Sequence, residues 1–291
     1  MSGDGSRSQR LYDPKAREAG TQVAVFAGAN LQGSRLSGVV SVAADFSNAL
    51  MREAKLVRAN FQRATMVGAD LTDADLSYVD FEGADLSDSV LFGAKTHAWK
   101  IRDANLAGAL QDPVHADPEA DAAYKAMMAS HSHWCETGGR RGKPADLNHA
   151  NLNALGSLSE QNLTAVTAKG AVFSGLDMQG AKLQGANLEG ADLRGCNLQQ
   201  ADLRGTRLAG ARLSGSDLRH ALMGPLYLSG GRVIPCDLSG ANLRHADLSF
   251  ADLRYARLLG AELSRADFTG ADLTRAELAG VSRQGARGLP V

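Results

Sequence analysis

The 291-residue sequence lacks most of the features that mark secreted and membrane proteins. Aromatic residues make up only 5% of the chain, and no apolar run approaches the roughly 20 residues needed to span a bilayer. The first residues lack the apolar stretch of a signal peptide. The three cysteines have no paired spacing, which argues against a disulfide framework. We therefore expect a cytoplasmic protein without membrane association.

The sequence also lacks a charge excess and any catalytic signature. Lys and Arg total 31 against 32 Asp and Glu, a net charge of -1. Bulk attraction to nucleic acid needs a large positive excess, so we expect no direct nucleic-acid binding. There is no Gly-x-Ser-x-Gly, no phosphate-binding Gly-rich loop and no His-Glu-x-x-His. These absences predict a protein that is not an enzyme and that uses no cofactor or metal ion.

What the chain does contain is an apolar residue at every fifth position. Between residues 26 and 106 this frame has 17 positions, of which 15 hold Leu, Phe, Met or Ile; Ser41 and Thr96 are the exceptions. Between residues 158 and 278 a second frame has 25 positions, all of them apolar. Alanine predominates two residues before each of these positions. This repeat governs the prediction of the fold.

A period of five fits neither an α-helix, which needs 3.6 residues, nor a flat strand, which needs two. Within a quintet, the leucine and the alanine two residues earlier lie on the same side of an extended backbone. The next leucine can face the same interior only if the chain turns once per quintet. Repeated turns wind the chain into stacked coils with the leucines inside. We predict an all-β solenoid.

The clearest run, Ala-Asn-Leu-Glu-Gly-Ala-Asp-Leu-Arg-Gly at 186–195, resembles the pentapeptide-repeat family, whose motif is Ala-(Asp/Asn)-Leu-X-X. The resemblance implies a bacterial protein folded as a right-handed quadrilateral parallel β-helix with four quintets per coil. It covers nearly the whole chain apart from the ends and one insert. The resulting organisation is a cap segment (1–21), a first array (22–111), a helical insert (112–145), a second array that continues the same rod (146–280) and a tail (281–291).

The insert is predicted to form an amphipathic helix over residues 118–137. Asp117-Pro118-Glu119 is typical of a helix start, and Gly138-Gly139 of a helix end. Apolar and aromatic residues fall on one stripe at helical spacing. The candidate interaction residues on the helix are Tyr124, Met127, Met128, His131 and Trp134. We expect the stripe to lie against the outside of the rod, beside a one-residue frame slip at 153–158, although a partner or a second copy is the alternative.

Three further expectations concern regularity and packing. Residues 223–235 keep the five-residue count despite Pro225, Gly230, Gly231 and Pro235, so we interpret them as a widened corner. Cys196 and Cys236 occupy alanine sites, and we expect them to be buried and unlinked, two coils apart. Outward residues should stack at intervals of 20, which pairs Asp192 with Arg212 and Arg232 with Asp252, and places Asp237, Arg257 and Glu277 in one ladder.

Two charge features add candidate interaction residues. Seven acids and no base lie between residues 70 and 88, a girdle whose candidates are Asp70, Asp75, Asp80 and Asp85. A basic-aromatic group in the second array contributes Arg244, Arg254 and Tyr255. Charge runs of this kind are usually solvated surface, and neither group is dense enough to indicate nucleic-acid binding.

The predicted function is a non-catalytic protein-interaction scaffold that presents a rigid rod and a docking helix to a protein partner, with a homodimer through one rod end left open. The alternative, which the resemblance suggests, is a DNA mimic that binds or protects DNA gyrase or topoisomerase. A mimic needs sustained negative potential. Residues 22–111 carry 10 acids and 8 bases, and residues 146–278 carry 14 acids and 13 bases, which favours the scaffold.

Overall fold

The computed structural model describes residues 23–111 and 118–290, which belong to two compact units, Met1–Val114 and His115–Val291. In both units the backbone forms parallel bridges between residues one coil apart. The first unit carries a regular series at intervals of 20, from Val25–Asp45 to Val90–Leu110. Four bridge positions occur in every 20 residues, so four quintets complete one coil.

Each quintet turns because its hydrogen bonds close a corner. In the quintet that begins at Leu183, Ala186 N donates to Leu183 O over 3.0 Å, and the corner residue Gly185 has φ of +65°. That left-handed conformation favours glycine. The residue before the leucine stabilises the same corner when it is Asp or Asn: Asp177 Oδ1, for example, accepts from Gln179 N over 3.2 Å. The motif thus encodes the turn as well as the core.

The leucine and alanine positions form the interior of each unit. In the first unit the core runs from Ala44 to Leu91, and in the second from the insert through to Phe268, with almost every member fully buried. Ser41, one of the two exceptions in the leucine frame, is also fully buried, and its Oγ has no hydrogen-bond partner. The periodicity therefore predicted most of the core, including the position of Ser41, but it also placed Leu228 and Val233 inside, and neither is buried.

The ladder predictions are confirmed wherever the chain keeps its interval of 20. Asp192 bridges Arg212, with Arg212 Nη1 and Asp192 Oδ2 3.7 Å apart. The column of Asp237, Arg257 and Glu277 is also present. Exposed pairs of this kind contribute only about 0–1 kcal/mol each, so they set register more than stability.

The interpretation of residues 223–235 as a widened corner was wrong. The chain leaves the coil there as a β-hairpin, in which β1 (Leu226–Tyr227) pairs antiparallel with β2 (Val233–Ile234) across a 3₁₀ turn at Ser229–Gly231. Bridges that span this insertion join residues 30 apart. Asp252 consequently stacks on Leu222 and not on Arg232.

The hairpin also corrects the predicted stacking of the two buried cysteines. Both thiols are free and buried, as predicted. The bridges Asn197–Asp217 and Arg207–Asp237 place Cys196 in register with Ser216, and Cys236 in register with Thr206. The two thiols therefore lie on different faces of the coil, because ten of the residues between them belong to the hairpin.

The predicted helix and frame slip are both present. Helix α1 spans Pro118–Glu136, and its predicted N-cap residue lies outside the described residues. The slip is a 3₁₀ turn at Asn153–Leu155, before which bridges join residues 21 apart and after which they join residues 20 apart. Within the described residues, no helix is both long and apolar enough to cross a membrane.

Candidate functional site

Helix α1 packs on the second unit through a narrower stripe than the sequence predicted. Met128 is 5% exposed and His131 is fully buried, and Tyr124 lies partly buried against the same core. Met127, which the prediction placed on the stripe, is 37% exposed. The stripe therefore serves the protein's own core, and most of it is closed to a partner.

The helix covers the open N-terminal edge of the second array. Carbonyls of the second coil of this array accept hydrogen bonds from the first coil: Lys182 O accepts from Leu163 N over 2.8 Å, and Gln184 O accepts from Ala165 N over 2.9 Å. In the first coil, the equivalent carbonyls are those of Asn162 and Thr164, which form the edge of the array.

Side chains of α1 occupy the donor positions at this edge. Ser132 Oγ lies 3.4 Å from Asn162 O, and Cys135 Sγ lies 3.6 Å from Thr164 O. The helix contacts the frame-slip turn, as predicted, but it lies over the coil edge and not along a side wall. We call α1 and these contacts the edge cap.

His131 joins the edge cap to the first residue of the returning repeat. Its Nδ1 accepts a hydrogen bond from Ala145 N over 3.0 Å, and its Nε2 lies 3.5 Å from Cys135 Sγ. Burial lowers the pKa of His131 below its ordinary value, with a smaller opposing effect from the Thr164 carbonyl. Because Nδ1 accepts from a backbone N–H, the proton of the neutral ring lies on Nε2. Burial likewise raises the pKa of Cys135.

Trp134, the last predicted helix candidate, is half-buried beside the edge cap. Its ring stacks on His131 with centroids 5.7 Å apart. Together with Cys135 it lines a cavity of about 370 Å³ that opens between the end of α1 and the coil edge. The cavity contains no clustered catalytic groups, so we assign it no chemistry.

The acidic girdle is distributed over the four faces of one coil, and its carboxylates have local partners. Asp70 is buried and pairs with Arg52. Asp80 accepts from Gln62 Nε2 over 3.1 Å, and Asp85 accepts from Asn105 Nδ2 over 3.0 Å.

Asp75, the fourth girdle candidate, completes the pattern. Lys55 and Lys95 flank it in its column, and hydrogen bonds from Ser77 lower its pKa. The girdle therefore forms no continuous anionic face.

The basic-aromatic candidates are also paired. Arg244 Nη2 lies 3.3 Å from Glu262, and Arg254 forms a two-point hydrogen-bonded pair with Asp252. The Tyr255 hydroxyl accepts from Arg275 Nη1 over 2.7 Å, and the guanidinium lies over its ring. The hydrogen bond from Arg254 lowers the pKa of Asp252. These residues form a structured surface on which Arg244 and Arg254 each lie beside a carboxylate.

The β1–β2 hairpin is the feature that the sequence reasoning missed. Leu226 anchors it over the coil, where a side chain at Gly205 would meet Leu226 Cβ at 2.6 Å. Tyr227 and Val233 point outward and are 69% and 48% exposed. Pro225, Pro235 and the two turn glycines were the available signal. We call Tyr227, Val233 and the turn between them the hairpin tip.

Within 23–111 and 118–290, no group of three or more His, Cys, Asp or Glu is arranged to hold a metal ion. The described surface offers paired charges on regular columns and several exposed apolar side chains, of which Tyr227 and Val233 share one hairpin. That arrangement is suited to contact with another macromolecule.

The structure therefore defines a protein built from two stacks of five-residue repeats. The family model described as pentapeptide repeats matches it in eight copies, over residues 24–66, 54–93, 157–195, 186–223, 236–270 and 246–282. These segments together cover more than half of the sequence, and the chain belongs to the pentapeptide-repeat family. A search of curated proteins finds no match.

Several solved structures resemble this chain. HetL, a pentapeptide repeat protein involved in heterocyst differentiation regulation from the cyanobacterium Nostoc sp. strain PCC 7120, is 26% identical over 94% of this chain and 93% of its own, with a TM-score of 0.28. Rfr23 from the cyanobacterium Cyanothece 51142 is 30% identical over 35% and 63%, with a TM-score of 0.27. QnrB1, a plasmid-mediated fluoroquinolone resistance protein, is 19% identical over 80% and 88%, with a TM-score of 0.24. These TM-scores support no argument about function.

Proposed function

We propose that this protein is a non-catalytic protein-interaction scaffold whose contact element is the hairpin tip. In this proposal each array winds as a right-handed quadrilateral β-helix. The observation that carries the proposal is the exposed pair Tyr227 and Val233 on a hairpin that projects from a regular wall. Exposed aromatic and aliphatic side chains on a rigid support are typical anchors of protein interfaces.

The hairpin takes this role in place of the helix. Met128 and His131 are buried in the edge cap, so presenting them to a partner would require the cap to open. The hairpin tip needs no such change, because Leu226 already holds it against the coil. A contact element that is fixed before binding loses little conformational entropy on association.

The DNA-mimic alternative is disfavoured by the way in which the charges are paired. In some columns carboxylates alternate with bases, as Asp75 does with Lys55 and Lys95. Where carboxylates stack on one another, as Asp252 does on Asp272, Arg254 lies within 4 Å of both. Opposite charges one coil apart cancel each other's field beyond a Debye length of about 8 Å. A partner evolved for duplex DNA would meet little net potential on these columns.

Affinity capture with full-length protein tests the proposal. The bait is compared with a Tyr227→Ser/Val233→Ser double variant, in which the tip keeps its backbone but loses its apolar groups. The matched control is Tyr78→Ser, another exposed tyrosine, in the first array. We expect a protein captured by wild type and by the control to be lost with the double variant.

The readout must separate loss of contact from loss of fold. Circular dichroism and the urea midpoint of the double variant should match those of wild type, because neither side chain is buried. Equal capture by all three baits would overturn the assignment of the hairpin tip. If only Tyr78→Ser lost the captured protein, the contact would lie on the first array and not on the hairpin tip.

A further inference from the structure

His131 links three segments that meet at the edge cap. It lies on α1, accepts from Ala145 N at the return of the chain and sits beside the Thr164 carbonyl on the coil edge. Its ring is fully buried. A neutral imidazole with the proton on Nε2 satisfies these contacts, because Nδ1 remains an acceptor.

An imidazolium cannot satisfy them. Both ring nitrogens of His⁺ are donors, so Nδ1 would face the Ala145 N–H with no acceptor between them. The buried cation would also lose its hydration. We propose that α1 is an acid-releasable cap: protonation of His131 breaks its bond to Ala145 and detaches the helix from the Asn162–Thr164 edge.

The charged groups around the cap do not compensate this cation. On α1 the titratable neighbour is Cys135, with Glu136 beyond it. The returning segment contributes Lys143 and Asp146, and the coil edge contributes Glu160. The four charged side chains are all exposed to solvent, so water screens them from the buried ring.

The sign of the pH effect follows from burial. The docked ring takes up a proton at lower pH than the free ring, whose ordinary pKa is about 6.5. The closed cap is therefore fully stable above about pH 6.5. Between that pH and the lower pKa of the docked ring, the equilibrium constant for closing the cap falls up to tenfold with each pH unit.

Hydrogen exchange of the full-length protein tests the proposal. Protection of the α1 amides, corrected for intrinsic exchange, is measured at pH 7.5 and 5.5. In wild type we expect a loss of protection between these values, of at most about tenfold. His131→Gln, which cannot titrate, should show no such loss. His133→Gln removes an exposed histidine of the same helix and should behave as wild type.

Two results would overturn the proposal: unchanged protection in wild type, or an equal loss in His131→Gln. If that variant fails to fold, an NMR titration of the wild-type ring replaces it. We expect His131 to titrate below the ordinary value of a histidine, together with the loss of α1 protection. If His131 titrates at the ordinary value of a histidine while the helix stays protected, the proposal of an acid-releasable cap is refuted.

Discussion

The two adjacent methionines of α1 provide a sharp test of the edge cap. Met128 is 5% exposed within the core of the second unit, whereas Met127 is 37% exposed. Truncating each to alanine removes the same atoms from the same helix. Helix propensity changes equally, so the difference between the two variants reports packing alone.

The expected magnitude follows from burial. Replacing a buried methionine with alanine costs about 2–5 kcal/mol, and the lower half applies where the surroundings can collapse into the space. Met128 lies at the end of the core, so we expect about 2–3 kcal/mol for Met128→Ala and less than about 1 kcal/mol for Met127→Ala. With a slope of about 2 kcal/mol per molar urea, Met128→Ala should lower the midpoint by about 1 M.

The assay is urea unfolding followed by Trp134 fluorescence in a Trp99→Phe background. Trp99 belongs to the first unit, so its removal leaves a signal from the edge cap. The midpoints should not depend on protein concentration, because the contact lies within one chain. Equal effects of the two methionine changes would refute the packing. A concentration-dependent loss would show that the stripe packs on a second copy.

Four further outcomes follow from the contacts. Gly205→Ala should lower the hydrogen-exchange protection of the hairpin amides more than Gly210→Ala does. Both corners have positive φ, but only at Gly205 would the new Cβ meet the leucine of β1. Ser41→Ala should leave the free energy of unfolding, measured by urea titration, unchanged or raise it by up to about 1 kcal/mol, because the buried hydroxyl has no partner. Burial raises the pKa of Cys196 and Cys236, so Ellman's reagent should label them only after unfolding. Stoichiometric protein should leave gyrase supercoiling intact, because its charges are paired.

The core was predictable because the period of the leucines is itself the period of the turns. Each quintet carries its own inward residue and its own corner, so no long-range information is needed to place Leu183 or Ala186 inside. The frame slip was predictable for the same reason. The extra residue, which the structure accommodates in the 3₁₀ turn at Asn153–Leu155, shifts the five-residue frame of the leucines by one.

The hairpin was missed because ten residues are a multiple of five. Leu228 and Val233 fall on the leucine frame by count although they lie outside the coil. The five-residue period is the same for a quintet that pairs with the coil next to it and for one that lies outside the coil. Pro225 and Pro235, which bracket the excursion and cannot donate a backbone hydrogen bond, were the better evidence.

The position of α1 was out of reach for a related reason. The stripe shows that one side of the helix is buried, but the surface that receives it depends on which carbonyls the coils leave unpaired. Asn162 and Thr164 look like ordinary repeat residues in the sequence. Only the end of a hydrogen-bonded series distinguishes them, and that is a property of the assembled stack.

The constant interval of the bridges has a consequence for how the arrays fold. Sheet proteins usually fold slowly because their strands pair over long and varied separations. Here nearly every pairing joins residues 20 apart, and the hairpin lengthens only four of them to 30. Because each coil pairs with the next coil in the chain, adding coils lengthens the array without lengthening the loop that each new pairing closes. Each array can therefore grow one coil at a time from any nucleus.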